Sequence, residues 1–350
     1  FFKRSYSVNG KYSHQDQWLT ELSPLGYWYP PEKMNALFSI NSISPDGNKI
    51  LTYYKDNNYP ENNGLYFYYK TIDGWGNPEK LIVKNLRKYT DNSFWRNYHI
   101  SNSGKVLIMS FSATNKSEDN RSSLYISFLK DDNSWSEPYK LGSPINNNSE
   151  EDNCVPFIAS DDKTIYFSSN RSGGYGNNDI YISRRLDNSW LNWSTPENLG
   201  KNINSENWDA YYTIAADGEY AFMVSYSNSY GNADLFKVKI PEKLRPEPVV
   251  LVSGKVLDPA TGNPIDAEII YYSLPNGIEL GTARTNPSTG VFKIVLPYGR
   301  QYSFIAKAKG FYSVSNYIDL RDISQYKEIN YDIKVATVEV GSTIRLNNIF

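Results

Sequence analysis

The chain has 350 residues, 40% of them hydrophobic and 21% charged, with a formal net charge of −2. That length fits two domains, that composition permits a packed core and excludes wholesale disorder, and the lack of a basic excess argues against a nucleic-acid partner. No apolar run approaches the roughly 18 residues of a membrane-spanning helix, while an aromatic share of 15%, with 30 Tyr and 8 Trp, favours the half-buried faces of strands.

The chain opens at Phe1-Phe2-Lys3 with neither an initiator Met nor a signal peptide. It is expected to be an internal or processed segment, so the missing signal carries nothing about compartment. A turn signature, Ile43-Ser44-Pro45-Asp46-Gly47, recurs as Ile100-Ser101-Asn102-Ser103-Gly104, Ala159-Ser160-Asp161-Asp162-Lys163 and Ala215-Ala216-Asp217-Gly218. Asp46, Ser103, Asp162 and Asp217 are spaced by 57, 59 and 55 residues. Each turn leads into an apolar strand (49–54, 105–111, 164–168, 219–225), a polar loop, and a second strand (65–70, 124–128, 179–183, 234–238).

A Trp then closes the unit: Trp18, Trp75, Trp135 and Trp193 are spaced by 57, 60 and 58 residues. Pro78/Leu81, Pro138/Leu141 and Pro196/Leu199 follow three of them, and Pro24/Leu25 echo the pattern after Trp18. Asp-Gly between apolar runs makes a tight hairpin, because Gly accepts positive φ and Asp binds nearby amides. The repeated Trp is expected to fill the wedge between adjacent sheets. Units of roughly 40–60 residues with several short strands read as propeller blades.

Leu244-Arg245-Pro246-Glu247-Pro248 is a stiff, proline-rich linker that cannot join a sheet interior. Trp is absent beyond it. Residues 250–256, 267–272, 290–296, 301–308 and 317–320 read as strands, and Asn276-Gly277 signals a hairpin.

Ile43-Ser44-Pro45-Asp46-Gly47, Tyr166-Phe167-Ser168-Ser169-Asn170-Arg171-Ser172-Gly173-Gly174, Asn178-Asp179-Ile180-Tyr181 and Trp193-Ser194-Thr195-Pro196-Glu197-Asn198-Leu199-Gly200 together resemble the TolB-type propeller repeat. The likeness covers residues 1–245, with residues 1–26 matching only the second half of a unit, and implies at least five blades, the first incomplete. Gly254-Lys255-Val256-Leu257-Asp258, Thr261-Gly262-Asn263-Pro264-Ile265, Gly290-Val291-Phe292, Leu296-Pro297-Tyr298-Gly299 and Ala308-Lys309-Gly310-Phe311-Tyr312 resemble the carboxypeptidase regulatory-like domain. That implies a transthyretin-like β-sandwich over 246–338 with no catalysis of its own. Residues 339–350 are similar to the lead-in of an OmpA-like peptidoglycan-binding domain. The order of the three resembles OmpA-family envelope proteins of the Bacteroidetes, including PorE-type lipoproteins associated with type IX secretion and gliding. The fold expected is therefore all-β, a propeller followed by a sandwich.

Chemistry is sparse. His14 and His99 are the two histidines; a Ser-His-acid triad needs an oriented base and no Gly-x-Ser-x-Gly elbow is present. His99 is expected inside an inner strand in a structural or channel-lining role, and His14 in a polar loop. Cys154 is expected to be a small buried residue. Glu150-Glu151-Asp152, Asp131-Asp132 and Asp161-Asp162 are expected to be solvated loop charges. Residues 56–63 and 177–179 carry oxygen ligands without the ordered spacing of a calcium loop, and Asp179 and Asp234, at matching positions before a strand, are expected to cap backbone. No catalytic residue, metal or cofactor is expected.

Trp28, Trp95 and Trp208 stand outside the wedge series, each just before an inner strand. With Arg96, Tyr98, Asp209 and Tyr211 they form the candidate partner-binding surface, since Trp, Tyr and Arg dominate binding hot spots; the bland alternative is packing between blades. The expected function is a non-enzymatic periplasmic scaffold, associated with the outer membrane. It would bind protein partners of an outer-membrane machine and be anchored to peptidoglycan through a further domain. The alternatives are a glycan-binding module and, least favoured, a propeller lyase or hydrolase.

Overall fold

The computed structural model describes residues 2–8, 11–20, 23, 25–33, 39–114, 116, 121–230, 233–314 and 316–338. Phe1, Pro24 and residues 339–350 lie outside the described residues. The chain is all-β: its described elements are strands, one five-residue helix and two short 3-10 turns.

The first sheet holds β1 (Phe2–Val8), β2 (Lys11–Leu19) and β3 (Glu32–Lys33). The second holds β4 (Ser39–Ile43), β5 (Lys49–Tyr54) and β6 (Gly64–Thr71), with β7 (Gly74–Trp75) and β8 (Glu79–Lys80) both paired to β6. Helix α1 (Leu86–Thr90) leads to the third sheet: β9 (Arg96–Ile100), β10 (Val106–Ser112), β11 (Ser122–Phe128) and β12 (Tyr139–Lys140). The fourth is β13 (Asn153–Ile158), β14 (Thr164–Ser169), β15 (Asp179–Arg184) and β16 (Glu197–Asn198), and the fifth is β17 (Asp209–Ile214), β18 (Tyr220–Ser225) and β19 (Asp234–Lys239). All these pairings are antiparallel.

Continuous apolar runs explain the second strands. β10 and β14 bury every residue, because a sheet lies against each of their faces. One apolar cluster joins sheets two and three through Leu51, Leu65, Tyr98 and Met109. A second joins three and four through Ile108, Leu124, Ile165 and Phe167, and a third joins four and five through Tyr166, Ile180, Tyr212 and Met223. The first strands β4, β9, β13 and β17 pack beside one another, a propeller-like arrangement. Trp28 meets Phe222 of the fifth sheet edge-to-face at 5.9 Å, and Gln17 of the first sheet accepts the Ile40 amide of the second at 2.8 Å.

The four signature turns share one hydrogen-bond pattern. Ser44, Ser101, Ala159 and Ala215 each receive a bond from the amide three residues on, that of Gly47, Gly104, Asp162 and Gly218. This corrects the sequence alignment: Asp161, not Asp162, matches Asp46, Ser103 and Asp217. Asp162 stands at the position its sister turns give to glycine, at φ +53° where each glycine has +72°.

Trp135 and Trp193 are buried after the third strand of their sheets, bridged to Leu129 and Arg185, whereas Trp75 is half-buried beneath the Lys70 ammonium. Trp18 departs from the series, lying inside β2 opposite Phe2 and Lys33. His14 lies in β2, opposite Tyr6, rather than in a loop.

The remaining strands are β20 (Val249–Lys255), β21 (Glu268–Leu274), β22 (Ile278–Arg284), β23 (Val291–Pro297), β24 (Gln301–Lys307), β25 (Phe311–Ser313), β26 (Asn316–Asp319), β27 (Lys327–Asn330) and β28 (Val335–Thr337). They form a sheet ordered β23-β20-β27, a sheet ordered β22-β21-β24-β26, and the ribbon β25-β28. Val252, Ile269, Phe292, Tyr302 and Phe304 fill the core between them. No buried apolar cluster among the described residues spans both regions. No described helix is long and apolar enough to cross a membrane.

Candidate functional site

Antiparallel order gives each of sheets two to five two unlike ends. The signature turns and the Trp hairpins lie at one, the turn end. The polar loops between second and third strands, and the segments leading into each first strand, lie at the other, the loop end. Every candidate binding residue from Trp95 to Tyr211 belongs to this loop half.

The structure brings these residues together in separate groups. Trp208 meets Tyr211 and Tyr226 edge-to-face, each at 5.8 Å. Tyr211 is 48% exposed, yet it is crowded enough that burial pushes its phenol up to about 12. It occupies a bulge of β17 at φ +55°, and Val155 occupies the corresponding bulge of β13 at φ +47°. Such bulges re-aim a side chain. Trp95 is 48% exposed and abuts Phe94 at 4.9 Å, and the Arg96 guanidinium covers the Tyr53 ring at 5.4 Å. Trp28, 49% exposed, sits on the fifth sheet. No ring contact among the described residues joins Trp28, Trp95 and Trp208 to one another.

Tyr98 and Asp209 are buried and offer nothing to a partner. Tyr98 is 3% exposed, stacked on Tyr53 at 5.3 Å, and burial raises its phenol far above the ordinary value. Its inward place follows from strand alternation, which turns it away from Asn97 and His99. Asp209 is 0% exposed and accepts the Ser205 amide at 2.6 Å and hydroxyl at 2.9 Å, holding the loop that carries Trp208. Asp179 and Asp234 make the capping bonds expected of them, accepting the amides of Tyr175 at 2.5 Å and Tyr230 at 2.6 Å.

His99 lies at the junction of three sheets. Its Nε2 faces the Ile158 carbonyl at 3.2 Å and its Nδ1 the Ser42 hydroxyl at 3.3 Å. A carbonyl only accepts, so Nε2 carries the proton and Nδ1 accepts from Ser42. Burial lowers the imidazole to about 4, so it is neutral at pH 7. Neutral, bonded at both nitrogens and packed on Phe157 at 4.7 Å, it is a structural residue. Cys154 is buried, its thiol raised far above the ordinary value by that burial.

The carboxylate clusters divide. Asp131, Asp132 and Glu150 are exposed as expected, but Glu151, Asp152 and Asp161 are buried. Asp152 accepts the Ser122 amide and the Asn178 amide group; Asp161 accepts the amides of Lys163 and Thr164. Glu151 faces Arg171 at 3.7 Å, both nine-tenths buried or nearly so, and Arg171 also donates to the Ile145 carbonyl at 2.7 Å and the Asn153 side chain at 2.9 Å. Sequence reasoning missed this pair. One signal pointed to it: pairing register puts Ala113 and Ser227 where Arg171 stands in the fourth sheet. Asp56 spends its carboxylate on the amides of Asn58 and Tyr59 and the Tyr54 hydroxyl. Among the described residues no three His, Cys, Asp or Glu side chains gather as metal ligands.

No family model matches the chain, and no curated protein matches it. Among solved structures it is similar to the GH32 β-fructofuranosidase of Bombyx mori, at 11% identity and a TM-score of 0.40, over 95% of this chain and 82% of that one. It is similar to a puromycin hydrolase at 12% identity and a TM-score of 0.34, over 80% of this chain and 45% of that one. A third likeness, to 3-chlorocatechol 1,2-dioxygenase of Rhodococcus opacus, has 13% identity and a TM-score of 0.20 over 26% of this chain and 60% of that one. The chain thus spans less than two thirds of the dioxygenase and of the puromycin hydrolase. At these TM-scores the likenesses carry no conclusion about activity.

Proposed function

We propose that the chain is a non-enzymatic binding scaffold: a five-bladed β-propeller over residues 1–245, a transthyretin-like sandwich over 246–338, and a loop end that receives a protein partner. One observation carries the reading. The loop end exposes Phe94, Trp95, Tyr175, Tyr211, Tyr226 and Tyr230 from segments rich in Asn, Ser and Gly, while the turn end is occupied by the sandwich. Rigid aromatics set among small amides and hydroxyls are the composition of protein-binding loops, and Trp and Tyr anchor hot spots. The resemblance to OmpA-family envelope proteins supports a place in the periplasm beside an outer-membrane machine, with peptidoglycan gripped by a further domain. Service in type IX secretion or gliding belongs to the same proposal.

The test is capture of partners from native cells by the wild-type chain and by Trp95→Ala with Trp208→Ala. The double variant is expected to fold and to lose its captured envelope proteins, with an affinity loss of about thirtyfold or more. Unchanged capture sinks the reading. Binding of neutral oligosaccharides in place of proteins would make the loop end a glycan site instead.

A further inference from the structure

The turn end is not free surface. Asp46 accepts the Arg284 amide at 3.1 Å and Asn48 donates to the Arg284 carbonyl at 3.0 Å. Asn102 donates to the Val295 carbonyl at 2.8 Å, Lys105 to the Glu279 carbonyl at 2.9 Å, and Asp161 accepts the Glu247 amide at 2.9 Å. Each of these turn side chains meets a main-chain atom of the sandwich or the linker. Ion pairs Lys105–Glu279 at 3.0 Å and Lys163–Glu247 at 2.6 Å flank them. Gly281 of β22 lies so close that an added Cβ would fall 2.5 Å from the Ser103 carbonyl oxygen, besides meeting the Tyr271 ring within the sandwich. The fourth turn joins through Gly218, beside Pro246.

Asp162 is the exception within this platform. It holds a left-handed conformation that its three sister turns fill with glycine, and a side chain there is strained. Burial also pushes its carboxyl up to about 6. The repeat shows that glycine suits the position, so both costs are borne for what the carboxylate does. It accepts the amides of Asn102 at 2.8 Å and Ser103 at 3.0 Å, across the gap to the third sheet's turn. Asn102 in turn bonds the Ser160 carbonyl at 3.1 Å and the sandwich at Val295. Strain retained in this way marks a constrained site.

We infer that the four turns are a dedicated docking platform for the sandwich of the same chain, and that Asp162 locks it, so that the two regions move as one body. The lock ties two turns in the register that presents Asn102 to Val295 and the Ser103 carbonyl to Gly281.

Asp162→Gly is the deciding variant, because it relieves the backbone while deleting the lock. The wild-type chain is expected to unfold in one calorimetric transition and to resist proteolysis in residues 241–248. Asp162→Gly is expected to split the transition and to speed cleavage there at least tenfold. The inference is overturned if Asp162→Gly keeps a single transition at an equal or higher melting temperature with unchanged cleavage. It is equally overturned if the wild-type chain itself unfolds in two independent steps.

Discussion

The two ends of the five-sheet region differ in what their polar groups do. At the turn end, the side chains of Asp46, Asn48, Asn102 and Asp161 close bonds on the neighbouring sandwich or linker. At the loop end, carboxylates such as Asp179 and Asp209 bond their own loops, and aromatic rings face outward. One repeated unit thus builds a satisfied joint and an unsatisfied surface, because strand order sends alternate connections to opposite ends. Burial, rather than residue type, tells the two apart: Trp135 and Trp193 are buried near the turns, whereas Trp95 is exposed near the loops.

That contrast can be broken by substitution. The largest effect is expected from Trp135→Ala, which empties a wedge position and should cost about 3–5 kcal/mol in urea unfolding; a loss near zero would remove the Trp from the core. Arg171→Ala should cost about 3 kcal/mol, since it strands the Glu151 carboxylate in a buried site. Arg171 lies at the loop end, so this result would show that end to be partly structural, whereas a neutral outcome would leave it wholly to recognition.

His99 supplies a pH test between the ends. Its folded value near 4 lies below the ordinary 6.5, so the unfolded chain binds the extra proton between those values. Its contribution is complete above pH 6.5 and is lost as pH falls toward 4. Between pH 7 and pH 4.5 the wild type should lose about 2 kcal/mol more than His99→Gln. Asp162, raised toward 6 by burial, acts with the opposite sign but equally in both proteins, so it cancels in the difference. An identical pH dependence would mean that the imidazole is solvated. The smallest effect is expected from Trp95→Ala with Trp208→Ala, below about 1 kcal/mol by the same unfolding measurement. A loss matching Trp135→Ala would assign these rings to the core and end the case for the loop end.

Much of the strand map was legible. The strands expected at 49–54, 164–168 and 301–308 lie within a residue of β5, β14 and β24, because apolar runs bounded by Gly, Asn and Pro carry their own limits. The turn alignment slipped by one residue at Asp162, since sequence compares letters and the turn is defined by φ. The candidate surface was legible only in part. A Trp before a first strand is exposed if its loop faces water, as at Trp95, but Tyr98 fell on the inward side of an alternating strand and Asp209 is buried against its own loop. Which loop carboxylates are buried depends on the adjacent sheet, and nothing local to Glu151 or Asp152 records that neighbour.

The turn side chains that touch the sandwich bond to its main chain: the amide of Arg284 and the carbonyls of Arg284, Glu279 and Val295. Every residue but proline presents the same two groups. A joint of this kind constrains the path of β22 and β23 while leaving most of their side chains free to change. Over evolutionary time the sandwich can therefore be re-surfaced, or exchanged for another of the same backbone, without redesign of the face that holds it. The exceptions in β22 are Glu279, whose carboxylate pairs with Lys105, Arg284, whose guanidinium covers Tyr69, and Gly281, which has no room for a side chain.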